Sequence, residues 1–279
     1  MRFAICNELF EGWDFRRVVE FVSEVGYDGL ELAPFTLAED VATVSAAQRR
    51  ELRKLANDHG LTLVGLHWLL AKPAGLHLTH PDPAVRSRTV TYLQRLIDLC
   101  ADLGGSVMVF GSPHQRSLLP GVSHSAGWQA ACEGFAACAP LAHERGVTLC
   151  LEALPANLTS LLNTNREVID MVRAINHPAI QMMVDVKSMS SESVPIAENI
   201  KACHGWFHHV HANDANAQGP GFGQIDFHPV LHTLRELGYT GYVSVEVFDF
   251  TPGAEVTARR SLDYLKSVLS KVSGSESTV

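Results

Sequence analysis

Four side chains able to hold a metal ion recur along the second half of the chain: Glu152, Asp185, His211 and Glu246. Each closes a short apolar run, over residues 147–151, 180–184, 207–210 and 242–245. Successive members are 33, 26 and 35 residues apart. Any one of them alone reads as a surface acid or a structural histidine, but four at matching exits point to one site. Three carboxylates and an imidazole form a hard, oxygen-rich donor set suited to Mn²⁺ first, with Mg²⁺, Co²⁺ or Zn²⁺ as alternatives. Two neighbouring oxygens of a polyol or hydroxyketone would complete such a shell.

Positioning those donors requires elements that return the chain to the same end of the molecule. Within residues 147–152, Val147, Leu149 and Leu151 share one face of an extended strand and Thr148, Cys150 and Glu152 the other. A step of roughly one β/α unit between donors places them around one mouth of a parallel barrel, where strand C-termini carry the chemistry. Strands are expected at 2–6, 28–32, 61–67, 107–110, 147–152, 180–185, 207–211 and 242–246. Helices with apolar spacing are expected at 14–25, 46–58, 85–103, 125–144, 164–175, 195–203, 226–237 and 254–269, with Pro140 predicted to kink or break the fourth. Eight strand-helix units favour an α/β fold, a single (β/α)8 TIM barrel over residues 1–270, with 271–279 a mobile tail.

Composition narrows the partners. Apolar residues make up 46% of the chain and charged residues 19%, a composition with enough apolar matter for one large core. The net charge is −8 and the basic residues are scattered, which argues against a nucleic-acid or anionic-membrane surface. The six cysteines never form C-x-x-C, so neither a zinc ribbon nor a redox pair is signalled, and small buried thiols in a reducing, cytoplasmic setting are expected. No secretion signal or membrane-length apolar run is read from the sequence.

The opening strand, the Glu, Asp and His at the exits of strands five, six and seven, and the closing G-Y-T-G-Y-V-S-V-E of residues 238–246 resemble the sugar-phosphate isomerase/epimerase superfamily, the xylose-isomerase-like barrels. The resemblance covers nearly the whole chain. It implies that Glu152, Asp185, His211 and Glu246 are the metal ligands, and that Glu152 and Glu246 also move protons on opposite faces of a substrate carbon. Ketose 3-epimerases of that superfamily carry a glutamate, a histidine and an arginine where this chain has Leu158, Ser188 and Ala217. On that ground the chain is expected to be distant from the ketose 3-epimerases and to take an altered sugar, a cyclitol or a keto-glycoside, with Leu158 as an apolar contact.

Further substrate contacts are expected from the mouth of the barrel: His67, Trp68 and Lys72 after strand three, His114 and Gln115 after strand four, Asn157 after strand five, Lys187 after strand six and Phe248 after strand eight. His209 shares strand parity with His211 and is expected beneath the metal, while Asp214 is expected to orient a loop. The leading function is a divalent-metal-dependent sugar or cyclitol epimerase or isomerase working through an enediolate. Alternatives are a metal-dependent lyase or deglycosidase of 3-keto-glycosides, and a non-catalytic metal-binding barrel subunit. A homo-oligomer, dimer or tetramer, is expected from the helical exterior of such barrels.

Overall fold

The structure is a computed structural model that describes residues 1–274. Its strands are β1 (Arg2–Cys6), β2 (Gly29–Leu32), β3 (Thr62–Leu66), β4 (Val107–Phe110), β5 (Thr148–Leu151), β6 (Ile180–Asp185), β7 (Phe207–Ala212) and β8 (Tyr242–Val245). They pair in sequence order, all parallel, and β8 returns to β1 to close the barrel. Between them run α1 (Phe15–Val25), α2 (Ala46–Asp58), α3 (Pro83–Leu103), the single turn α4 (Pro113–Arg116), α5 (His124–Glu144), α6 (Asn165–Ile175), the single turn α7 (Val186–Met189), α8 (Ile196–Ala202), α9 (Phe227–Glu236) and α10 (Ala254–Gly274).

Local chemistry sets the helix boundaries. Asp14, Ser45, Asp82, Ser123, Thr164 and Asp226 each accept a backbone N–H in the first turn of the helix they precede, which satisfies a donor the helix itself leaves unpaired. Gly26 and Gly104 end α1 and α3 in the left-handed conformation. Pro140 does not break α5, which runs unbroken from His124 to Glu144; the Gln94 side chain of α3 donates to the Ala137 carbonyl beside it. The last helix continues to Gly274, through the first residues of the segment expected to be a tail, and residues 275–279 lie outside the described residues.

Strand alternation divides the interior in two. Ile5, Leu30, Leu32, Leu149, Leu151, Val184 and Val210 point outward into the apolar layer shared with the helices. Ala4, Val64, Val107, Val109, Cys150, Met183 and Tyr242 form a smaller plug inside the barrel. Gly65 allows β3 and β4 to meet, since a Cβ there would overlap the Val107 carbonyl. Inward parity continued one step past the plug reaches Glu31, Glu152, Asp185, His211 and Glu246, so the pleat that packs the core also delivers the polar residues to the mouth.

Candidate metal centre

The four expected donors come together. One ligating atom from each of Glu152, Asp185, His211 and Glu246 lies within 4.8 Å of the others, and all four residues are buried. Register accounts for part of this: the β6–β7 pairing sets Asp185 beside His211, and β7–β8 sets His211 beside Ser244, one inward step before Glu246. Gly111 makes room at the β4 exit, where a Cβ would collide with the Glu152 carboxylate.

The electrostatics of the cluster are those of a cation site. Burial, reinforced by the charges of Asp185 and Glu246, pushes the Glu152 carboxyl well above the usual range. Burial and the Glu246 charge likewise raise Asp185. For Glu246 burial is outweighed by the charge and hydrogen bond of His211, and its carboxyl is held below the ordinary value. Three carboxylates with one imidazole among them repel one another in a low-dielectric pocket, and a divalent cation relieves that repulsion. The donor set and its spacing fit such an ion.

Residues outside the quartet hold it in shape. His211 Nδ1 faces Glu246 Oε2 at 3.1 Å, while its Nε2 donates to Glu31 Oε1, also at 3.1 Å. The other oxygen of Glu31 accepts from His209 Nε2 at 2.8 Å. Burial alone would raise the Glu31 carboxyl, but the two imidazoles hold it well below the carboxylate range. Asn213 donates to Asp185 Oδ2 at 2.7 Å and approaches Glu246 Oε2 at 3.5 Å, and its side-chain Oδ1 accepts the Lys187 N–H at 2.8 Å. Asp185 Oδ1 accepts the Ser188 N–H at 2.6 Å. Arg116, fully buried, donates to the Glu152 carbonyl at 2.7 Å and reaches the Phe110 and Leu162 carbonyls at 3.5 and 3.4 Å. Burial lowers its guanidinium to about 10, so it carries its charge at neutral pH beneath the carboxylates.

A second polar pair adjoins the first. His67 Nε2 donates to Glu8 Oε2 at 2.6 Å, and Glu8, His67 and Glu246 again offer atoms within 4.8 Å of one another. Glu8 Oε1 and His67 Nδ1 are buried without a hydrogen-bond partner.

The other expected contacts divide. Trp68 and Phe248 meet at the mouth, ring centres 6.1 Å apart, and the Lys187 ammonium lies 5.1 Å from the Phe248 ring centre. Lys72 is instead paired with Glu39 at 3.3 Å on the surface. His114 is exposed, and Gln115 is joined to the β3 loop through its carbonyl, which accepts the Leu78 N–H at 2.7 Å. Asn157 and Leu158 stand exposed on the loop after β5. Asp214 gathers the N–H groups of Gly223, Gln224 and Ile225 and so closes the loop after β7. From the sequence Glu8 and Glu31 read only as strand exits and Arg116 only as part of a candidate substrate loop, with no role at the centre, and Asn213 carries no assignment. Parity opposite to the outward Leu30 and Leu32 marks Glu31, and parity with His209 and His211 marks Asn213; nothing in the loop sequence marks Arg116 as buried.

Fold and centre together define an enzyme of the metal-dependent sugar isomerase and epimerase class, rather than a barrel that only binds metal. A family model described as a xylose isomerase-like TIM barrel matches residues 19–268, and the chain belongs to that family. The D-psicose 3-epimerase of Ruminiclostridium cellulolyticum is 28% identical over 239 residues, 84% of this chain and 78% of its own. That of Agrobacterium fabrum is 27% identical over 240 residues, 84% of this chain and 80% of its own. The solved D-psicose 3-epimerase of Clostridium cellulolyticum H10 with D-tagatose superimposes with a TM-score of 0.83 at 25% identity, covering 96% of this chain and 99% of that one.

These relationships correct the expectation that the chain is distant from the ketose 3-epimerases: it is closely related to them. The expectation weighed three loop positions above the framework. Of these, Ser188 binds Asp185 through its backbone N–H, and Ala217, in the left-handed region at φ 67°, uses its carbonyl to accept the Phe248 and Asp249 N–H groups. Backbone contacts of this kind do not depend on the side chain that differs.

Proposed function

We propose that the protein epimerises a sugar at a carbon next to a carbonyl, as the ketose 3-epimerases it is related to do, with Glu152, Asp185, His211 and Glu246 holding one divalent ion, Mn²⁺ first. The observation that carries this reading is the convergence of those four buried side chains, two of them glutamates contributed by strand exits on different sides of the mouth. An ion held by those four residues would polarise a carbonyl and its adjoining hydroxyl and so would lower the cost of an enediolate. Glu152 and Glu246 exchange protons with the α carbon from its two faces, one removing and the other returning, so the centre inverts. Their roles swap with the direction of the reaction. Arg116 holds the main chain at Glu152, and Asn213 the Asp185 carboxylate, while the proton moves.

A second reading, cleavage of a 3-keto-glycoside, draws on the aromatic surface of Trp68 and Phe248 beside the centre. The same enediolate would expel a substituent β to the ketone. Incubating the Mn²⁺-loaded protein in deuterated water with ketoses, inososes and 3-keto-glycosides tests both readings. Epimerisation requires deuterium at one α carbon together with an inverted product by NMR; loss of the aglycone without inversion selects cleavage. Tight binding without exchange or conversion defeats both. The six free thiols, five of them buried, suit a cytoplasmic setting, and we place the protein there as a homo-oligomer; no described helix is long and apolar enough to cross a membrane.

A further inference from the structure

Beside the centre lies a cleft of about 800 Å³ whose walls include Phe10, Trp13, Phe35, Trp68, Phe248 and Phe250, with Glu8 on its polar side. None of the four metal donors lines it. It nevertheless adjoins them, because Glu8, one of its lining residues, offers an atom within 4.8 Å of Glu246. The cleft adjoins the place a sugar over the quartet would take, and about 800 Å³ falls in the upper part of the range of pockets that take drug-sized ligands.

The walls are aromatic and open. Trp68, Phe248 and Phe250 are 41%, 41% and 37% exposed, and they make up half of the large apolar side chains exposed among the described residues. Isolated exposed apolar residues need no explanation, but three around one concavity mark a surface that a ligand covers. Trp68 is held there at a cost, with φ at 51° in the left-handed region. Its ring is fixed between Phe35, edge-on at 6.0 Å, and Phe248, tilted by 32° at 6.1 Å. At the polar side Glu8 Oε1 is buried and unpartnered while Oε2 is held by His67, which leaves one acceptor at the junction between cleft and centre.

From this geometry we infer that the substrate is a sugar bearing an aromatic substituent: the ring lies against Trp68 and Phe248 in the cleft, and a sugar hydroxyl next to the linkage donates to Glu8 Oε1. The inference deepens the function proposed above and rests on the sugar occupying the quartet. An aliphatic chain would fill the volume, but flat aromatic walls gain most from another aromatic face or edge.

The test is calorimetric titration of the Mn²⁺-loaded protein with phenyl β-D-glucoside and methyl β-D-glucoside, neither of which has a carbonyl to react. The phenyl compound is expected to bind about tenfold more tightly, the ratio worth one aromatic contact. In Phe248→Ala the ratio falls towards one, and in Trp68→Phe, which keeps a ring in place, most of it returns. Equal binding of the two glucosides, or a preference that survives in both Phe248→Ala and Trp68→Ala, overturns the inference. Solvent-deuterium exchange with phenyl and methyl 3-keto-β-D-glucosides tests the function separately. Exchange with neither rejects the proposed reaction, while the binding ratio still decides the subsite.

Discussion

Glu31 on β2 and His211 on β7 meet across the barrel, 3.1 Å between Oε1 and Nε2, on the side of the imidazole away from Glu246. That contact fixes which nitrogen of His211 is left to face the carboxylates. A histidine ligand whose far nitrogen donates to a carboxylate is held in one tautomer and orientation, and losing that partner costs about 10–100-fold in metal affinity. Glu31→Gln is therefore expected to weaken Mn²⁺ binding by that factor in a competition titration against a chelating dye, with the circular dichroism of the wild type. Unchanged affinity would remove Glu31 from the centre.

Arg116→Met takes from the buried Glu152 carbonyl its 2.7 Å donor, while the Phe110 and Leu162 carbonyls keep the N–H groups of Glu152 and Leu154. Each unsatisfied buried group costs about 1–3 kcal/mol, and a loss of that kind lowers the melting temperature by roughly 2–4 °C per kcal/mol in a chain approaching this size. Differential scanning calorimetry is expected to show a fall on the order of 10 °C if about 3 kcal/mol is lost. Arg116→Lys recovers only part, because an ammonium does not present the planar fork that spans three carbonyls.

Glu152→Gln and Glu246→Gln are each expected to reduce epimerisation by at least about 10²–10⁴-fold, the usual contribution of a positioned acid or base. The two variants separate in isotope exchange. With one proton carrier removed, wash-in of solvent deuterium survives from the epimer whose proton faces the remaining glutamate and is lost from the other. Metal content measured first distinguishes a lost ligand from a lost proton carrier, and equal exchange from both epimers in either variant contradicts the two-face arrangement.

Acid sensitivity has a local component at α9. Asp226 caps this helix by accepting the His228 N–H at 2.9 Å, and that backbone bond leads the causes that lower its carboxyl below the ordinary value. A depressed carboxylate contributes stability that is present above the unfolded value of about 3.9 and is lost as pH falls through the folded value. Asp226→Ala is expected to cost about 1 kcal/mol at pH 7, an amount set by capping because the side chain is largely exposed. The difference in melting temperature from wild type should close as the pH is taken below 3.9, about the ordinary carboxylate value.

Strand exits were the legible part of the sequence, because alternation and a carboxylate or histidine at the end of each apolar run occur together at residues 152, 185, 211 and 246. Glu31 reads in the sequence only as the end of its strand although it sits between two outward leucines, since a single acid in G-L-E-L carries no sign of its partners. Arg116 is hidden by its type: arginine in a loop ordinarily faces water, and two of the three carbonyls it meets, those of Glu152 and Leu162, are distant in sequence. Lys72 and His114 show the converse. Their loops lie at the expected end of the barrel, but the direction of a loop side chain depends on contacts, here Glu39 for Lys72, that no periodicity reveals.

All four donors lie in or directly after the last four strands, whereas Glu8, Glu31 and His67 come from the first three or their exits. One half of the molecule thus supplies the ligands and the other the carboxylate that braces their imidazole. A fragment carrying β5 to β8 would possess every donor atom and still lack the carboxylate that orients its imidazole. Neither half can be shed or exchanged independently of its counterpart without unsettling the centre.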